Sequence, residues 1–154
     1  MITVTAWQPL ASALIKQFEG CKLKAYLCPA GVPTIGWGST GPDIHLGMVW
    51  TQEQADERLL KDLQRFGDRV AALVKSAPTS AHQFAALTDF SYNLGPDALA
   101  HSTLLRKHME GDHEGAAAEF AKWNKARVNG ELVPLGGLTK RRAAEAELYR
   151  KADA

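Results

Sequence analysis

The side chains best suited to acid–base or nucleophilic chemistry lie near the N-terminus: Glu19, Cys21, Cys28 and Thr34. A carboxyl group can deliver a proton, an ionised thiol can act as base or nucleophile, and a hydroxyl can hold a water. Each also has a plainer reading. A Glu at a helix end is usually a surface residue, and Cys28 with Thr34 equally fits an inert buried thiol beside a structural hydroxyl. The two cysteines form a candidate redox pair. A hairpin over residues 22–27 would bring Cys21 and Cys28 within the about 4.4–6.8 Å between Cα atoms that a disulfide needs. Two unrelated free thiols are the alternative, and in a reducing compartment both stay reduced.

Other constellations carry less. Cys21, Cys28, His45, His101, His108 and His113 show no zinc-finger or His-Glu-x-x-His spacing, so no metal site is expected. Gly36-Trp37-Gly38 lacks the Gly-Lys-Ser/Thr of a phosphate loop, and its glycines better suit a strand turning close past a sugar. The net charge of +1 gives no reason to expect a nucleic-acid partner. Lys140, Arg141 and Arg142 form a short basic cluster whose plain reading is a solvated helix face.

The elements that must position these residues follow from periodicity. Ala11, Leu14, Ile15 and Phe18 mark an amphipathic helix over 11–18, with Pro9 suited to its first turn and Gly20 ending it. Glu19 therefore falls at a helix C-terminus. Glycines and prolines then separate short β-prone pieces around Tyr26, Val32, Thr34–Trp37 and Ile44–Val49. Thr51 and Gln54 have capping-box spacing ahead of a long apolar stripe that ends near Lys75. Ser80 with Gln83 opens a second such helix, which stops at Asn93-Leu94-Gly95. Further helices are expected at 102–110, 113–124 and 137–151, with a two-residue turn at Asn129-Gly130. The fold class is α+β and a single domain over 1–154. It comprises a small antiparallel β lobe (about 20–50), a linking helix (about 51–75) and a larger helical lobe (about 76–154 plus the N-terminal helix), with a cleft between the lobes.

Several ordered motifs carry a family resemblance. Phe18-Glu19-Gly20, then Leu23, Ala25 and Tyr26, then Gly31 and Thr34-Ile35-Gly36-Trp37-Gly38 resemble the N-terminal signature of phage lysozymes, glycoside hydrolase family 24. That family carries Glu, eight residues, Asp or Cys, five residues, Thr, and here Glu19, Cys28 and Thr34 keep the spacing. Phe90 to Gly95, Ser102 to Leu105, Ala116 to Trp123, and Gly137-Leu138 with Arg141-Arg142 extend the likeness from about residue 12 to 150. Two departures stand out: Cys28 where many members have Asp, and Ser39 where many have a His shortly after the Gly-Trp-Gly segment.

The resemblance implies a lysozyme-like fold and a muramidase of the endolysin type. Such an enzyme hydrolyses the β-1,4 bond between N-acetylmuramic acid and N-acetylglucosamine. Hydrolysis needs a proton donated to the leaving oxygen as positive charge develops at the anomeric carbon. Glu19 is the implied general acid, since burial in a cleft wall and a helix C-terminus both favour a protonated carboxyl. Cys28 with Thr34 would position or activate a water. Cys28 could instead be a charge-stabilising thiolate, or attack the sugar itself. Trp37, Tyr92, Asn93 and Arg141 are candidate substrate contacts, and packing or capping roles compete for each of them. A lytic transglycosylase and an inactive peptidoglycan-binding module are the other functional classes. The expected partner is bacterial peptidoglycan, with no cofactor, no stable membrane insertion, and a monomer as the working unit. No signal peptide is visible in this chain. Synthesis in the bacterial host cytoplasm and action on the wall in the periplasm are expected.

Overall fold

The computed structural model describes residues 4–151. Helix α1 spans Val4–Glu19 and buries Trp7, Ala11, Leu14 and Ile15. It starts well before the expected 11–18 segment, so Pro9 lies inside the helix and one internal backbone bond is forgone. Gly20, at φ +67°, ends it.

Strands β1 (Lys22–Leu27) and β2 (Pro33–Gly36) pair antiparallel, with Tyr26 opposite Thr34 and Leu27 opposite Pro33. The expected strand near Ile44–Val49 is reduced to one bridge, Lys24 to Val49. A small core of Ala25, Ile35 and Ile44, flanked by Met48 and Trp50, holds this lobe together.

Helix α2 (Gln52–Val74) opens on the expected capping box, with Thr51 and Gln54 each accepting from the other's backbone N–H. Its 23 residues span about 34 Å. Helix α3 (Ala81–Leu94) opens on a second box, Ser80 with Gln83. It is buried continuously from Phe84 to Ser91, as befits a central helix with α1 and α2 packed around it. A short helix α4 (Pro96–Ala100) was not expected. Helices α5 (Thr103–Met109) and α6 (His113–Glu119), with a tight turn over Phe120–Lys122, fill the segments expected to be helical. Strands β3 (Lys125–Val128) and β4 (Glu131–Pro134) form a hairpin around Asn129 and Gly130, both at positive φ as a two-residue turn of this kind requires. Helix α7 (Gly136–Arg150) is the last element among the described residues and packs on α3.

The basic cluster at the start of α7 departs from the expected solvated face. Arg141 is 4% exposed and Arg142 is fully buried, because both turn inward onto acidic side chains of the core, Asp89 and Glu145.

Candidate active site

Glu19 is the last residue of α1, and three elements meet at its carboxylate. Arg141 Nη1, from α7, donates to Oε2 at 2.6 Å. On the other side lies Gly38, at φ +90°; a Cβ built there would stand 2.8 Å from Oε1. Any larger residue at 38 would displace the carboxylate. The close approach foreseen for this glycine is therefore to Glu19.

Arg141 is itself fixed from behind. Its Nε and Nη2 donate to the two oxygens of fully buried Asp89 on α3, at 3.0 and 2.8 Å, leaving Nη1 for Glu19. Burial disfavours the guanidinium charge, but Asp89 and Glu19 outweigh it and hold Arg141 above its usual pKa. Glu145, also buried, stays protonated well above the usual carboxylate range, because of burial first and then the neighbouring Asp89. Glu145 lies 2.7 Å from Arg142, whose Nη2 also donates to Asn93 Oδ1 at 2.7 Å. Two candidate contacts are thereby placed: Arg141 orients Glu19, and Asn93 is tied to the core through Arg142.

Cys28 sits at the turn after β1, with its N–H donating to the Val32 carbonyl at 3.0 Å. Hydrogen bonding from the Val32 backbone holds its thiol below the ordinary value. Partial burial opposes this, and Ala30, the Thr34 hydroxyl and Gly31 reinforce it. Thr34 is buried, and its one hydroxyl proton is shared between two acceptors, the Val32 carbonyl at 2.9 Å and the Cys28 sulfur, so its lone pairs remain to accept from a water. Tyr26, on β1, lies within electrostatic reach of both groups: partial burial, then the charges of Glu19 and Cys28, raise its pKa.

The candidate redox pair does not form. Cys21 and Cys28 are free thiols at opposite ends of β1. The intervening chain is an extended strand where a reversal was expected. At about 3.3 Å per residue the cysteines stand far beyond disulfide reach. Cys21 instead lies 3.7 Å from the Gln52 amide.

Trp37 and Tyr92 join the lobes. The Tyr92 hydroxyl donates to the Trp37 carbonyl at 2.7 Å, and Trp37 Nε1 donates to Asp56 at 2.8 Å. Lys16 stands over the Trp37 ring at 5.3 Å. One ring face and the indole N–H are thus already engaged. Ser39 donates to buried Asp62 at 2.7 Å, and Asp62 also accepts from Arg58 at 2.9 Å. The hydroxyl at 39 thereby satisfies a carboxylate in the lobe junction.

Compared with known proteins, residues 16–145 match the phage lysozyme family. The chain belongs to that family. An endolysin of Acyrthosiphon pisum secondary endosymbiont phage 1 is 45% identical over 90% of this chain and 94% of its own. Among solved structures, an endolysin from the Escherichia coli O157:H7 phage FAHEc1 aligns with TM-score 0.84 and 38% identity, covering 94% of this chain and 92% of that one. The muramidase domain of SpmX from Asticaccaulis excentricus aligns with TM-score 0.87 and 35% identity, covering 95% and 98%.

The matched segment of this phage lysozyme chain holds both ends of the Glu19–Arg141–Asp89 chain of contacts. Sequence reasoning missed Asp89, Gly38 as the shelf for Glu19, and Tyr26. Asp89 had one available signal: it is the only charged residue within the otherwise uncharged 84–94 stretch of a helix buried all round.

Proposed function

We propose that this phage lysozyme cleaves the muramic acid–glucosamine bond with Glu19 as acid and Cys28 and Thr34 on the water. The supporting observation is the way Glu19 is held. Arg141 occupies Oε2, and Oε1 rests over Gly38 as the oxygen left to serve the glycosidic bond. In the reacting state the proton sits on Oε1, away from Arg141, and Glu19 gives it to the bridging oxygen as the C1–O bond breaks. A water held by the Thr34 hydroxyl and the Cys28 sulfur adds to C1, and its proton passes to the thiolate. The lowered thiol pKa favours that base role. The protein works as a monomer on the wall in the periplasm, after synthesis in the host cytoplasm.

Clearance of purified peptidoglycan by wild type, Glu19→Gln and Cys28→Ser, with product ends identified by mass spectrometry, tests this reading. Hydrated reducing ends from wild type and at least about a hundredfold loss in Glu19→Gln are expected. Anhydro ends would show the right substrate with a transglycosylase reaction, and a Glu19→Gln enzyme at wild-type rate would remove Glu19 from the chemistry.

A further inference from the structure

The chain has three tyrosines, and two of them spend their hydroxyls inside the protein. Tyr92 donates to the Trp37 carbonyl at 2.7 Å, and the Tyr149 hydroxyl lies 2.6 Å from His108 Nδ1. Tyr26 differs from both. Its side chain is exposed, and among the described residues its hydroxyl has no hydrogen-bond partner. An exposed phenol is ordinarily no more than solvated, so what sets Tyr26 apart is where it stands.

Along β1, Ala25 is the buried residue and packs with Ile35 and Ile44 in the core of the β lobe, so its neighbour Tyr26 faces away from that core. In the ladder Tyr26 stands directly opposite Thr34, and opposed residues share a face with Cβ atoms about 4.5–5.5 Å apart. Thr34 is the residue whose hydroxyl serves the Cys28 sulfur, so Tyr26 lies on the reactive face of the sheet. The phenol also feels Glu19, at the other side of the reaction. Partial burial, then the charges of Glu19 and Cys28, raise its pKa and keep it protonated, a standing hydrogen-bond donor. Trp37, by contrast, gives its indole N–H to Asp56, so the aromatic donors of the lobe junction are already committed.

We propose that Tyr26 is a further catalytic residue, whose hydroxyl donates a hydrogen bond to the N-acetylated amino sugar at which C1 is attacked. The inference rests on the peptidoglycan reading above. What lies between a proton-donating acid and an attacking water is the sugar that carries C1. Cys28 and Thr34 already give that water two polar contacts, and the longer Tyr26 side chain, rising from the same face, is left for the sugar. An amino sugar offers it hydroxyl and acetamido oxygens as acceptors. The bond holds the ring so that C1 faces both reacting groups, which makes its effect on rate larger than its effect on affinity.

Tyr26→Phe tests this, since it removes the hydroxyl and keeps the ring. Cleavage is measured on purified peptidoglycan. Binding is measured by calorimetry in a Glu19→Gln background, where no chemistry intervenes, with the tetrasaccharide of two N-acetylglucosamine–N-acetylmuramic acid repeats as the probe. Tyr26→Phe is expected to melt at the wild-type temperature, because its hydroxyl has no partner in the fold. Its kcat/KM should fall at least about tenfold, and the tetrasaccharide should bind about threefold to tenfold more weakly. A rate loss with unchanged tetrasaccharide affinity would put the hydroxyl on the water or on Glu19 and overturn the sugar contact. A lowered melting temperature would show the hydroxyl to be spent within the fold, and would overturn it too. Wild-type rate and affinity in Tyr26→Phe, beside an inactive Glu19→Gln, would overturn this inference alone. A wild-type protein that leaves peptidoglycan uncut would instead overturn the peptidoglycan reading, and this inference with it.

Discussion

At the scale of single residues, the site depends on how two reactive groups are held. Cys28 is the more accessible to experiment, since its thiol is held below its ordinary value chiefly by the Val32 backbone. In a Cys21→Ser background, the rate of alkylation by iodoacetamide should therefore rise with pH at a midpoint below the about 8.5 of a free thiol. Thr34→Val, which removes one of the contributing hydrogen bonds, should move that midpoint back upward. A midpoint at or above the free value would remove Cys28 as the base and leave it, with Thr34, only to position the water. The Glu19, Cys28 and Thr34 spacing could be recognised from the sequence because all three belong to one short segment. Arg141 could not be placed in the same way. It lies 122 positions from Glu19, next to Lys140 and Arg142, and a run of cations resembles a solvated face until α3 supplies Asp89 behind it. Partners brought together by tertiary packing leave no local periodic signal, so the carboxylate clamp had to be seen in three dimensions.

At the scale of elements, the helical lobe is pinned by a buried histidine. His108 on α5 is 1% exposed; its Nδ1 lies 2.6 Å from the Tyr149 hydroxyl on α7 and its Nε2 lies 2.7 Å from Thr79, just ahead of α3. Thr79 already donates to the Ala77 carbonyl, so Nε2 must carry the proton and Tyr149 must donate to Nδ1. A second proton on the ring would face that donor, with His113 stacked 5.4 Å away. Burial first, and His113 second, push His108 down to about 4. The unfolded chain, with His near 6.5, binds more protons than the native one between those values. Stability should therefore fall as pH drops from about 6.5 towards 4, by about 2–3 kcal/mol from this residue alone. Urea midpoints measured at pH 7 and pH 4.5 check this, and His108→Gln should flatten the difference while lowering stability at pH 7. A variant with the wild-type slope would assign the acid sensitivity to other groups. Most of these elements were readable in advance, because both capping boxes and the Asn129-Gly130 turn are local devices. Helix α4 was not, since five residues beginning at a proline are too few to establish a period. The lost Ile44–Val49 strand has the same root: an apolar run alone does not say whether a partner strand lies within reach.

At the scale of the molecule, function requires the two lobes to keep a fixed relation across Glu19, which belongs to a helix packed in one lobe and leans on a glycine of the other. The junction is polar and converges on residues 37 to 40. Tyr92 holds the Trp37 carbonyl, Asp56 holds its indole, Asp62 holds Ser39, and Arg58 reaches the Thr40 carbonyl at 2.9 Å while pairing with Asp43. Every one of these grips a residue within two positions of Gly38, so the clamp sets the height of the shelf beneath Oε1. Tyr92→Phe isolates this effect, since it deletes one hydroxyl and keeps the ring packed on Phe66. Leaving the Trp37 carbonyl unpaired should cost about 1–2 kcal/mol and lower the melting temperature by about 3–6 °C. If the clamp serves only stability, turnover below the melting range will be unchanged. If it sets the shelf, kcat should fall several-fold at 25 °C while KM stays near its wild-type value, because the proton-delivering oxygen would lose its placement without any loss of substrate contacts. The second outcome is the one this geometry predicts, since Gly38 follows Trp37 directly and has no side chain of its own to hold it in place.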